Sequence, residues 1–365
     1  MSEIEHREKT RVIAFYLPQF HPIPENDAWW GKGFTEWSNV ARSRPLFEGH
    51  EQPRLPADLG FYDLRLSDVR AAQANMARSA GVEGFCYWHY WFGGKRLLER
   101  PFNEVLDSGE PDFPFCLGWA NESWTGVWNN EPRRMLMEQT YPGEADDRAH
   151  FEYLLKAFRD RRYITVDGKP LLFIYKPLNL PDPKRRLDRW REWAHQAGLP
   201  GLHIVGNNQL DFDDAAALGL DAAVVSTLGV VNTKNALLNK TRWLLWGLSK
   251  KLDLGGPRTV RYSDAIELLI PDLSKFGFEA YPCAYPNWDH TPRSGRKGLV
   301  LTGSTPELFE QHMQLAVNAV SQRNDEHRIV FLKSWNEWAE GNYMEPDTRW
   351  GHAYLDALRR VVLRH

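Results

Sequence analysis

Glu337, Glu340 and Glu345 stand close together near the end of the sequence, set among Trp335 and Trp338. They follow an apolar, β-branched run, Ile329–Leu332, that reads as a buried strand. Taking a carboxylate out of water is costly unless it is paired or used, so buried strands seldom run straight into three of them. Glu337 and Glu340 are three positions apart. On a helical turn that spacing makes side chains neighbours, with Cβ atoms about 5–6 Å apart. Carboxyl groups about 5 Å apart are what a retaining glycosidase sets on either side of one sugar linkage. The plainer alternative is a strand followed by a helix whose early acidic residues favour its positive end.

Other polar residues fit the same chemistry, each with a structural alternative. Asn121 and Glu122 resemble the Asn–Glu pairs that present an acid/base in many sugar-cleaving barrels; the alternative is a loop carboxylate bonded to a neighbouring amide. His89, flanked by Trp88 and Tyr90, is a substrate contact or a hydrogen-bonded core group. Asp289 can bind hydroxyls or pair with Arg293. The chain has 16 Trp, 13 Tyr and 18 Phe, and aromatic faces that pack on the C–H faces of sugar rings favour a carbohydrate site.

Several chemistries lack their residues. There is no His-Glu-x-x-His, and His21, His50 and His89 have no ligand spacing, so no metal is expected. No Gly-x-Ser-x-Gly elbow is present, and the Phe92–Lys95 stretch is too short for a phosphate loop; no cofactor is expected. A formal net charge of −3 argues against a nucleic-acid partner held through phosphates. Cys86, Cys116 and Cys283 lie in or beside apolar runs and read as buried thiols.

The elements that must position these groups alternate. Strand-like runs cover Arg11–Leu17, Val82–Tyr87, Phe113–Ala120, Pro170–Tyr175, Leu202–Gly206, Asp221–Ser226, Glu279–Ala284 and Arg328–Leu332. Helical patterns follow each: Leu64–Ala80, Leu97–Leu106, Asp146–Arg159, Pro183–Ala197, Phe212–Leu218, Ser263–Phe276, Pro306–Arg323 and His352–Leu363. Strict alternation predicts an α/β fold, a single (β/α)8 TIM barrel spanning residues 1–365 with long βα loops. The segments after the strand C-termini hold the unusual sequence, so the site is expected at the barrel mouth. Residues 228–262 depart from the pattern and read as a helical insertion. Its stretch 235–251 is basic and aromatic, suited to a lid or to peripheral membrane contact. Residues 1–10 are polar with no apolar h-region, and the expected location is the cytoplasm.

The segments Ile13–Pro22, Gly33–Trp37, Gly84–Trp91, Trp119–Trp124 and Trp335–Gly341 resemble the WbsX-type proteins of bacterial polysaccharide clusters, also described as glycoside hydrolase family 99-like. The resemblance runs from about Arg11 to Leu363 and implies a (β/α)8 barrel acting on an oligo- or polysaccharide. Asn336–Gly341 is similar to the Asn-Glu-Trp-x-Glu-Gly motif of family 99 proper, which cleaves α-mannosides with retention through a 1,2-anhydro sugar. Carried over by position, Glu337 assists the 2-hydroxyl and Glu340 is the acid/base. Rhamnose shares the manno-type 2-hydroxyl, so the implied substrate is an α-linked mannose or rhamnose polymer. Residues expected to line the sugar subsites are Tyr16, His21, Glu36, Trp37, Tyr87, His89, Tyr90, Trp119, Asn121, Glu122, Trp124, Asp289, Asn336 and Trp338. A variant makes Glu122 the acid/base and Glu337 a nucleophile. The alternatives are a glycosyltransferase of O-antigen or capsular polysaccharide assembly, and a glycan-binding protein without catalysis.

Overall fold

The computed structural model describes residues 10–126, 131–229, 231 and 256–363. Eight parallel strands form the core: β1 Arg11–Tyr16, β2 Gly84–His89, β3 Phe115–Trp119, β4 Lys169–Ile174, β5 His203–Asn208, β6 Ala222–Val225, β7 Glu279–Ala284 and β8 Ile329–Leu332. Each pairs with the next, β4 with β5 included, and β8 returns to β1 with Ile13 opposite Phe331. The sheet is therefore a closed eight-stranded barrel. Such strands are covered on both faces and read as continuous apolar runs, as in β2, where every residue is buried.

Among the described residues seven outer helices wrap the barrel: α1 Ser67–Ser79, α2 Arg100–Ser108, α3 Glu144–Phe158, α4 Pro183–Gln196, α5 Tyr262–Leu269, α6 Pro306–Val320 and α7 Ala353–Val362. Local chemistry sets their ends. α6 begins where the Thr305 hydroxyl accepts from the Leu308 N–H at 3.3 Å, with Pro306 in the first turn.

Two expected helices differ. Phe212–Leu218 holds only a 3-10 turn, Ala216–Leu218, stopped by Gly219 in the left-handed region; so short a segment cannot offset helix nucleation. The expected Ser263–Phe276 helix ends at Leu269 because Pro271 disfavours helical backbone in the residue before it, and a separate 3-10 turn follows at Leu273–Lys275. Of the expected insertion at 228–262, the stretch 235–251 lies outside the described residues. Its described end is a strand, Arg258–Arg261, paired with Leu299–Thr302. Among the described residues no helix is long and apolar enough to cross a membrane.

Inside the barrel, side chains of alternate residues stack. Phe15 lies on Trp88 (ring centroids 4.9 Å apart, planes at 6°) and touches Phe173 at 4.9 Å and Phe331 at 5.4 Å. Gly118 leaves room for this: a Cβ there would stand 3.4 Å from Trp88 and 3.3 Å from Phe173. These rings plug the barrel beneath its C-terminal mouth.

Candidate active site

The segment after β8 builds the site. The backbone N–H of Trp335 donates to the Phe15 carbonyl at 2.8 Å, and the Asn336 amide brackets Leu17, accepting from its N–H at 2.7 Å and donating to its carbonyl at 3.0 Å. Asn336–Glu337 then pairs antiparallel with Asn342–Tyr343 around a 3-10 turn, Trp338–Glu340. The expected helical turn is thus a 3-10 turn at the tip of a tight hairpin, not the start of a long helix. Gly341 closes it at φ +57°, where a Cβ would stand 2.6 Å from the Asp289 Cβ. Only glycine combines that conformation with that approach.

Both glutamates reach one buried guanidinium. Arg293, in the loop after β7, donates through Nη1 to Glu340 Oε1 at 2.6 Å and through Nη2 to Glu337 Oε2 at 2.9 Å. Its Nε donates to Oε1 of Glu36, from the loop after β1, at 2.7 Å. Three loops are thereby joined at one cation. Beside it opens a cleft of about 350 Å³. Trp88, Tyr175 and Lys333 line its floor; Gln19, Trp30, Tyr90, Glu122 and Trp124 contribute walls, and Glu337 and Glu340 border it. A second recess of about 300 Å³, polar with Lys176, Asn179, Asn207, Gln209 and Asp211, shares Tyr175 with the cleft.

The electrostatics separate the two acids. Burial and then the neighbouring Glu340 push Glu337 up to about 7 against the pull of Arg293 and Lys333. Burial also raises Glu340, but Arg293, Lys333 and His290 together outweigh it and hold this carboxyl below its usual range. Glu337 is therefore the member of the pair that takes up a proton as pH falls through about 7. Burial raises Glu122 as well, with Lys176 and Lys333 pulling the other way.

Of the residues expected at the subsites, Tyr90, Glu122 and Trp124 line the cleft with Glu337 and Glu340, and Glu36 joins through Arg293. The others lie elsewhere. Tyr16, Tyr87, His89 and Trp119 point outward from their strands into the helix layer. The Tyr16 hydroxyl donates to Gln73 at 2.7 Å, Tyr87 packs on Phe102, His89 Nε2 meets His150 Nε2 at 2.8 Å, and Trp119 stacks on Trp190. His21 is bonded to the Pro18 carbonyl at 3.0 Å, inside its own loop. The Trp37 indole donates to the Tyr62 carbonyl, and Asn121 is engaged on both sides by the Lys176 backbone. Asp289 is fully buried and accepts from His50, Gln52 and Thr291, which leaves it no route to substrate hydroxyls; this network takes it down to about 2 although burial opposes. Arg293 is not its partner. The Trp338 indole donates to Glu345, which also accepts from Tyr62 and Gln73, so Trp338 and Asn336 brace the hairpin from behind.

Sequence reasoning missed Gln19, Trp30, Trp88, Tyr175, Lys333 and the role of Arg293. Strand parity was the available signal: Trp88 is two past Cys86, Tyr175 two past Phe173, and Lys333 two past Phe331, all on the inner face. Among the described residues no group of three or more His, Cys, Asp or Glu side chains is arranged to hold a metal ion.

Comparison with known proteins agrees with this architecture. The family described as glycosyltransferase WbsX matches residues 12–358. The uncharacterized protein WxcX of Xanthomonas campestris pv. campestris is 40% identical over 364 residues, covering 97% of this chain. The chain spans about half the length of that relative, 50%. Among solved structures, a glycoside hydrolase-like protein superposes with TM-score 0.61 at 18% identity, covering 99% of this chain and 96% of the other. The GH99 endo-alpha-mannosidase from Bacteroides thetaiotaomicron does so with TM-score 0.59 at 14% identity, covering 97% and 96%. At such identities these two likenesses establish the shared barrel fold.

Proposed function

The chain belongs to the family described as glycosyltransferase WbsX, and from that premise we propose that it acts on the glycosidic bonds of a carbohydrate. One observation carries the reading: Glu337 and Glu340 meet on one buried guanidinium at the edge of an aromatic cleft in the barrel mouth. In the finer form of the proposal the substrate is an α-linked manno-configured bacterial polysaccharide, cleaved with retention. Glu337 removes the proton of the sugar 2-hydroxyl as that oxygen closes on the anomeric carbon. Glu340 gives its proton to the departing oxygen. Water then opens the 1,2-anhydro ring, losing a proton to Glu340 while Glu337 returns one to the 2-oxygen.

The resting site holds its proton on the other member of the pair. Before the first step one proton passes from Glu337 to Glu340, which share Arg293. The pair needs that single proton, so the rate is expected to fall as pH rises through about 7, the value to which burial lifts Glu337. The test is a screen of α-mannans and rhamnans with the product anomer read by proton NMR. Glu337→Gln and Glu340→Gln are each expected to lower kcat by about 10²–10⁴-fold. Unchanged turnover in either variant removes this assignment.

A second reading, glycosyl transfer in polysaccharide assembly, is favoured by the description of the matching family. It predicts release of a nucleoside diphosphate from a sugar-nucleotide donor, and no release from any donor counts against it.

A further inference from the structure

Lys333 is the first residue after β8 and faces inward above Phe331, on the floor of the cleft. Its ammonium makes no hydrogen bond or ion pair with any of the described residues; its recorded neighbour is the Trp288 ring, 5.6 Å from Nζ to the centroid. The acids nearest in charge, Glu337 and Glu340, are bonded to Arg293 instead. Glu122, across the cleft, also forms no ion pair among the described residues. A half-buried ammonium that lines an open cleft and is bonded to neither nearby carboxylate has donors to offer a ligand.

The chemistry of the group narrows that ligand. A lysine ammonium has three donors and no acceptor, so it leaves the O–H of a sugar hydroxyl unpaired, whereas a carboxylate or phosphate offers acceptors only. The ammonium's bonds to any oxygen are charge-assisted, and an anionic acceptor adds a Coulomb attraction that a neutral hydroxyl lacks. The surrounding floor, Trp88 and Tyr175, offers aromatic faces for a sugar ring beside the cation. Glu340, Tyr175 and Glu337 outweigh burial and keep Lys333 protonated.

We propose that Lys333 makes this cleft selective for an acidic glycan, its ammonium binding a carboxylate or phosphate carried on the saccharide. This rests on the carbohydrate reading above and names the substrate class of the same site.

The experiment is isothermal titration of the full chain with three probes: neutral α-mannotriose, an α-galacturonan trisaccharide, and a phosphorylated mannan oligosaccharide. Wild type is expected to bind one acidic probe about tenfold tighter than the neutral one, a step of about 1.4 kcal/mol. Which acidic probe wins tells carboxylate from phosphate. Lys333→Met is expected to abolish the difference by weakening the acidic probe about tenfold more than the neutral one, and Lys333→Arg to retain it. Melting curves of both variants establish that they fold. Equal binding of neutral and acidic probes by wild type overturns the inference, as does an equal loss for all probes in Lys333→Met, which is the behaviour of a hydroxyl donor. Either result leaves the carbohydrate reading standing. Binding of no probe overturns both.

Discussion

Arg293 spends each of its three kinds of guanidinium nitrogen on a different carboxylate, and Glu36 behind it has no solvent exposure. Breaking one partner out of a buried ionic cluster leaves uncompensated charge, which costs far more than the intact cluster contributes. Arg293→Met is accordingly expected to destabilise the protein by about 3–5 kcal/mol in denaturant titration. A loss below about 1 kcal/mol would mean that the cluster is solvated. This role was not legible in the sequence, where Asp289 is the nearer acid to Arg293. Glu36 lies 257 positions away, and only chain closure brings it to the guanidinium. Asp289 is meanwhile saturated by His50, Gln52 and Thr291.

The hairpin Asn336–Tyr343 depends on Gly341 more than on any side chain it presents. An alanine there adds a strained φ of +57° to an overlap with Asp289 at 2.6 Å. Gly341→Ala is expected to cost about 2–4 kcal/mol, read from the thermal midpoint, and to lower kcat by displacing Glu340. The strands explain which cleft residues could be read in advance. Fully covered parallel strands carry aromatic residues on both faces, so Tyr87 and Trp88, or His89 and Tyr90, look alike in sequence. Their parity decides. Trp88 and Tyr90 face the mouth, while Tyr87 and His89 pack against helices. The acids at 337 and 340 are outside this ambiguity because neither lies on a barrel strand.

At the scale of the molecule, alternation of strand and helix made the barrel legible, and the two weak helical segments failed where length or a proline denied them. Burial also sets the acid response. His89, His203 and His312 are held down to about 3, 4 and 4, and His150 is also lowered, desolvation leading in each case. Their unfolded value is about 6.5, so the unfolded chain binds more protons. The stability they contribute is complete above that pH and is lost as pH falls toward 4. Glu337 and Glu345, each raised to about 7 chiefly by burial, act oppositely, contributing most below their unfolded value of about 4.5. Burial lowers His21 and His290 too and raises Glu122 and Asp147, so the lowered histidines outnumber the raised acids. Stability is expected to fall on going from pH 6 to pH 5, measured by urea titration. A flat or rising profile would contradict the burial of these rings. The seam between the last and first strands has a separate consequence. Glu36 follows the first strand, whereas Arg293, Glu337 and Glu340 accompany the last two. Until that seam zips, a refolding chain can bring Arg293 to Glu337 and Glu340 but not to Glu36, so the cluster is completed only when the barrel closes and does not accumulate with helix content.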